Sequence, residues 1–233
     1  MSGASFTAEL RILADPLWSR ELSHPFVLGI GNGTLDIEIF QFFLKQDYIF
    51  LIEYSRAIAI AAAKTTHLDD MAWFSRLLEE TLNTEMALHL EYCEEFGIEK
   101  EEVLATTAQP GTHNYTQHLL STAYSQNALH TAVAVLPCAW GYAEIGQALA
   151  KENPALEQPL YRKWIDMYSS EEFADLAKWL RSYIDREVLL IPDGEKKALE
   201  RTFLVSSEYE YEFWDSSYTV SYTHLTLPTS DLV

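Results

Sequence analysis

Cysteine is nearly absent. The chain holds two, Cys93 and Cys138, and no C-x-x-C pair, which points to free thiols in a reducing, cytoplasmic compartment. Basic residues are also few. Lys and Arg total 16 against 35 Asp and Glu, and the net charge of −19 repels phosphate, arguing against nucleic acid or an anionic membrane surface as partner. No uninterrupted apolar run reaches the roughly 18–20 residues of a membrane span. The first residues, Met1-Ser2-Gly3-Ala4-Ser5-Phe6, lack the basic segment and apolar core of a signal peptide. Glycine and proline are scarce, at 9 and 8, with no long Ser- or Gly-rich linker, so one domain over residues 1–219 is expected. No segment alternates with period two over a convincing length, and strands are not expected.

What remains is helical. The pattern predicts an all-α protein of about eight helices, with 48% hydrophobic residues to fill a core. The first, over about 4–22, carries Phe6, Leu10, Leu13, Leu17 and Trp18, with Pro16 bending or splitting it. Gly29, Gly31 and Gly33 read as a loop, and Thr34 or Asp36 as the cap of a long, almost wholly apolar helix over about 35–64. Further helices are expected over about 68–96, ended by Gly97, and from Thr112 or Asn114 to about Ser125. Asn127 to Ala150 forms the next, broken at Asn153-Pro154. Two more follow, over about 155–168 and from Ser169 or Ser170 to about 190. After the turn Pro192-Asp193-Gly194 comes a last helix over about 195–218. Residues 220–233 carry no helical period, resemble translated cloning sequence, and are expected to be irregular and non-native.

Four features carry chemistry. Pro137 should kink its buried helix just before Cys138, which shares a face with Tyr142 at i+4; a small core cysteine is the plain alternative. Asp47 lies in the middle of an apolar helix, on one side with Phe50 and Tyr54, and needs a partner: Arg56, Lys45, a backbone group or a polar ligand. Glu210 sits among aromatics, where burial raises a carboxyl pKa toward neutrality. Glu85 and His89, at i and i+4, suit either an ordinary side-chain pair or half of a metal site. The chain has no histidine between His130 and His224, which removes the second histidine such metal sites use. It also leaves a carboxylate as the substitute for the usual histidine base of a thiol nucleophile.

Four segments then fall in a familiar order: Phe43-Leu44-Lys45-Gln46-Asp47, Leu136-Pro137-Cys138-Ala139-Trp140-Gly141-Tyr142-Ala143-Glu144, Trp164-Ile165-Asp166-Met167-Tyr168-Ser169-Ser170-Glu171-Glu172-Phe173, and Ser206-Ser207-Glu208-Tyr209-Glu210-Tyr211-Glu212-Phe213-Trp214-Asp215. Together they resemble the cysteine-containing type of the TenA/thiaminase II family. The resemblance implies a haem-oxygenase-like helical bundle, a homotetramer and no cofactor or metal. It implies hydrolysis of 4-amino-5-aminomethyl-2-methylpyrimidine to the hydroxymethyl compound and ammonia, with thiamin as a further substrate. By the same resemblance Cys138 is the nucleophile, Glu210 the acid/base and Asp47 the anchor of the ring nitrogen and 4-amino group. Tyr115, Tyr142, Tyr168 and Phe213 match aromatic positions of the pocket. Phe50 departs from the pattern, standing where a tyrosine is common. Two rivals are a non-catalytic pyrimidine-binding or regulatory protein and a metal-dependent oxygenase on the same fold.

Overall fold

A computed structural model describes residues 4–153 and 156–225. Among them every regular element is helical. The order is α1 (Phe6–Leu22), α2 (Pro25–Asn32), α3 (Ile37–Lys64), α4 (Leu68–Glu80), a π-turn (Thr81–Glu85), α5 (Met86–Glu95), α6 (Lys100–Ala105), α7 (Pro110–Ser125), α8 (Ala128–Glu152), α9 (Pro159–Tyr168), α10 (Glu171–Glu187), a 3-10 turn (Val188–Leu190) and α11 (Asp193–Leu225).

Two helices form the centre. α8 is buried at nearly every position from Ala128 to Gly146, and α3 is buried from Ile39 to Ala62 on most of its circumference. An apolar helix of that kind is stable only with neighbours on all sides. α8 packs on α3, α9, α10 and α11, while α3 packs on α4, α5, α7 and α11. An aromatic cluster joins them: Phe43 stacks on Trp214 with centroids 5.5 Å apart, and Trp214 meets Tyr142 at 5.0 Å.

Local sequence sets the ends. Asp36 caps α3 by accepting from the Glu38 N–H at 2.8 Å, and Asn127 and Ser170 cap α8 and α10. Gly97 takes a φ of +68° just beyond α5, the left-handed conformation that ends helices.

Several expectations are corrected. Pro16 does not split α1; long-range packing outweighs the single backbone bond that the proline removes. Gly29 and Gly31 belong to α2 rather than to a loop. A Cβ at Gly29 would lie 3.0 Å from the Leu35 Cβ, and one at Gly31 would lie 2.7 Å from Leu149 Cδ2. These glycines permit close approach, and Gly33 alone of the three caps the helix with φ +71°. α7 begins earlier than Thr112, with Pro110 in its first turn. The segment over 68–96 is interrupted by the π-turn. α11 continues past residue 219 to Leu225, so the first residues of the stretch expected to be irregular are helical; extending a formed helix costs far less than starting one. Residues 226–233, Pro154 and the first three residues lie outside the described residues.

Candidate active site

Asp47 projects from the middle of α3 and is 2% exposed. Neither cation suggested by the sequence reaches it. Lys45 turns outward to Glu102 at 3.2 Å, and Arg56 pairs with Glu53. The partner is His89 of α5, whose Nε2 lies 2.7 Å from Asp47 Oδ2 while its Nδ1 lies 2.8 Å from the Glu85 backbone oxygen. Burial alone would lower the pKa of this ring, but the Asp47 carboxylate outweighs burial and raises it. The ring therefore donates on both sides, as imidazolium against carboxylate.

Cys138 of α8 and Glu210 of α11 lie close enough for each to shift the proton affinity of the other. Glu210 is 4% exposed and also accepts the Tyr115 hydroxyl at 2.6 Å. Burial pushes the Glu210 carboxyl up to about 8, and the Asp47 and Glu85 charges add to this; the hydrogen bond from Tyr115 and the neighbouring Cys138 thiol oppose it. Burial likewise pushes the Cys138 thiol well up, reinforced by Glu210, Glu85 and Asp47. The resting site thus holds a neutral thiol beside a carboxyl that trades protons near neutrality.

The aromatic residues divide between the two ends. Phe50 packs on Tyr115 at 4.8 Å, on Tyr54 at 5.6 Å and on Phe213 at 5.8 Å, all on the Glu210 side. Tyr142 meets Tyr168 at 4.9 Å, and the Tyr168 hydroxyl donates to Glu85 Oε1 at 2.8 Å. A cavity of about 60 Å³ opens against Cys138, lined also by Tyr54, Thr81, Glu85, Met167 and Phe173. Cys138 is thus at the cavity wall. Glu210 lies beside it and is bonded to Tyr115, Asp47 reaches it electrostatically, and Phe50, Tyr142, Tyr168 and Phe213 stand in the ring contacts behind.

Sequence reasoning missed Glu85 and His89 as members of this constellation. Their spacing is visible, but it suggests that they pair with each other, whereas His89 pairs with Asp47 and Glu85 with Tyr168. Both ring nitrogens of His89 are engaged, and among the described residues no group of three or more His, Cys, Asp or Glu is arranged to hold a metal ion. Tyr54 carries a signal in the sequence, since it shares a side of α3 with Asp47 and Phe50.

Comparison with known proteins agrees on family and fold. The profile described as the TENA/THI-4/PQQC family matches residues 12–220. An aminopyrimidine aminohydrolase of Halalkalibacterium halodurans is 44% identical over 214 residues, covering 92% of this chain and 96% of that protein. A crystal structure described as a TenA family transcription regulator from a Silicibacter species superposes with a TM-score of 0.85 at 32% identity, covering 93% of this chain and 97% of the other. A Shewanella denitrificans domain described as having a heme oxygenase-like fold superposes at 0.74 with 13% identity, covering 97% and 98%. This last likeness shows the fold alone.

Proposed function

This chain belongs to the TENA/THI-4/PQQC family, and from that premise we propose that it is an aminopyrimidine aminohydrolase of thiamin salvage, a hydrolase that converts 4-amino-5-aminomethyl-2-methylpyrimidine and water to the hydroxymethyl compound and ammonia. The observation that carries this reading is Cys138 at the cavity wall with the buried Glu210 carboxyl beside it, both within electrostatic reach of Asp47.

Each part has a task in that reaction. Asp47, oriented by the His89 ring, accepts from the 4-amino group and an adjacent protonated ring nitrogen, a charge-assisted pair. Aromatic side chains hold the heterocycle by stacking. The ionised Glu210 carboxylate takes the Cys138 proton, and sulfur adds to the electrophilic ring carbon next to the one that bears the aminomethyl group. The electron pair released into the ring expels the protonated amine as ammonia and leaves an exocyclic methylene; the water that adds next releases a proton in its place. Water adds to that methylene, the C–S bond breaks, aromaticity returns, and the thiolate recovers its proton from Glu210. Thiamin enters the same scheme with its thiazole as leaving group.

The same reading includes a cytoplasmic homotetramer. No single helix among the described residues is long and apolar enough to cross a membrane. Exposed Ile12, Leu68, Leu189 and Leu190 supply apolar surface for association, which light scattering measures.

The test is ammonia release from the aminomethylpyrimidine by native protein beside Cys138→Ser and Glu210→Gln, with thiamin as second substrate. Turnover by native protein and a loss of at least ~100-fold in each variant are expected. A folded native protein that turns over neither substrate would refute the assignment.

A further inference from the structure

We propose that Glu85 is a second catalytic carboxyl, which exchanges protons at the exocyclic carbon of the substrate while Glu210 serves the thiol. The proposal rests on the aminohydrolase reading and adds a residue to it.

Position comes first. Glu85 closes the π-turn Thr81–Glu85, an irregularity that inserts into an otherwise continuous helix and recurs at functional sites. It is 7% exposed, yet it lines the cavity together with Cys138. Its Oε1 accepts the Tyr168 hydroxyl at 2.8 Å, which leaves Oε2 to carry a proton. Glu210 is bonded to Tyr115, lies beside Cys138 and is not part of the cavity lining. Ammonia leaving the site and water entering it pass through the cavity, so they meet Glu85.

The order of atoms around the substrate ring agrees. The carbon that bears the aminomethyl arm stands between the carbon with the 4-amino group, which Asp47 takes, and the carbon that Cys138 attacks. Glu85 is within electrostatic reach of both Asp47 and Cys138. The arm is therefore presented toward the carboxyl that both of its neighbours feel.

A purely structural role explains Glu85 less well. Burying a carboxyl to receive one tyrosine hydroxyl is unfavourable, and the one buried cation nearby is bonded to Asp47. The groups that face Glu85 are Asp47 and Tyr54 from α3, His89 from α5, Cys138 from α8, Tyr168 from α9, Glu210 from α11, and Glu80 and Glu172 in the cavity lining. Burial, then the Asp47 charge, pushes Glu85 up to about 7, against the pull of His89 and Tyr168. A carboxyl of this kind is suited to give and take protons in one cycle.

The bookkeeping closes. A proton shared between the Glu85 carboxyl and the aminomethyl nitrogen leaves with the nitrogen as the C–N bond breaks, giving ammonia and a Glu85 carboxylate. The carboxylate then takes a proton from water as the C–O bond forms, and the C–S bond breaks. Glu85 ends as it began, and the sum is amine plus water to alcohol plus ammonia.

The experiment compares native protein with Glu85→Gln, which still accepts from Tyr168. The expected result is a kcat for the aminomethylpyrimidine at least ~100-fold lower, loss of the ionisation near pH 7 from the kcat profile, and a rate of Cys138 alkylation by iodoacetamide that does not fall, because the lost Glu85 charge is one of those that hold the thiol up. A kcat within about threefold of native, or alkylation falling in step with kcat, would overturn the proposal. If Glu85→Gln does not fold, the native kcat profile decides: it must contain an ionisation near pH 7 that persists in Tyr115→Phe, which removes a hydrogen bond to Glu210 and none to Glu85. A native protein inactive on the amine refutes the aminohydrolase reading itself, and with it this one; a loss confined to the variant does not.

Discussion

His89 Nε2 lies 2.7 Å from Asp47 Oδ2, and Nδ1 of the same ring lies 2.8 Å from the Glu85 carbonyl oxygen. A carbonyl only accepts, so Nδ1 carries a proton. Nε2 then faces a carboxylate, and the raised pKa of the ring places a second proton there. The two residues form a buried ion pair.

That pair predicts the behaviour of His89→Leu. Removing one partner leaves the other charge buried alone, at a cost of about 3–5 kcal/mol. Urea unfolding should show a loss of that size, and KM for the aminopyrimidine should rise because the Asp47 carboxyl loses the ring that holds it in place. In native protein, 15N shifts of the imidazole should report a ring that is doubly protonated at pH 7. A neutral ring at that pH would contradict the assignment.

The thiols give a second prediction. Cys138 lines the cavity and Cys93 does not, so iodoacetamide should modify Cys138 faster, and substrate should protect it. Burial raises both thiols, so both react slowly at neutral pH. The rate at Cys138 should climb as pH rises through about 8, where Glu210 loses its proton and becomes able to accept one from sulfur. Equal, slow labelling of Cys93 and Cys138 would instead mark Cys138 as a core residue.

A third prediction concerns packing behind the site. A Cβ added to Gly146 of α8 would lie 2.5 Å from the Tyr168 carbonyl carbon and 2.7 Å from the Ser169 nitrogen. These are backbone atoms, so the end of α9 must move. Gly146→Ala should cost about 1–3 kcal/mol, the usual range for overpacking, seen as a lower midpoint in urea. Tyr168 holds Glu85 through its hydroxyl, so turnover should fall as well. Gly194→Ala, where an added Cβ meets nothing within 4 Å, should do neither.

These particulars show what the sequence could and could not convey. Helical period and capping residues made the long elements legible, as with Asp36 before α3 and Ser170 before α10. The Cys138, Glu210 and Asp47 segments stood out because a thiol or a carboxyl amid apolar residues needs an explanation. The partner of Asp47 was not legible. His89 comes from another helix, and the spacing of Glu85 and His89 points to a local pair, which the π-turn and the approach of α3 override. The glycines of α2 misled in the same way. Their role is to admit Leu35 and Leu149, and no local pattern encodes a neighbour so distant in sequence as Leu149.

The acidic site should also make the protein less stable as pH rises. Glu85 and Glu210 have folded-state pKa values of about 7 and about 8, above the ordinary 4.5, because burial disfavours their charged forms. Between the ordinary and the raised value the folded state holds a proton that the unfolded chain has lost. Their contribution is therefore fully present below about pH 4.5 and is lost as pH climbs through about 7 and 8. His89, also raised, contributes in the same direction, its stabilisation fading as the ring loses its proton. Each group can account for up to ~1 kcal/mol per pH unit, and their mutual interaction makes the total smaller than the sum. The net charge of −19 adds a general repulsion with the same trend, so native protein alone is not decisive. Glu210→Gln supplies the control. Glutamine still accepts from Tyr115, changes the overall charge little, and carries no titrating proton. Urea unfolding over roughly pH 5–8 should give a shallower decline for the variant, with the two curves converging toward acid pH and separating in favour of the variant toward pH 8. Parallel curves would mean that Glu210 ionises as freely in the folded protein as in the unfolded chain, and the proton exchange assigned to it with Cys138 would lose its physical basis.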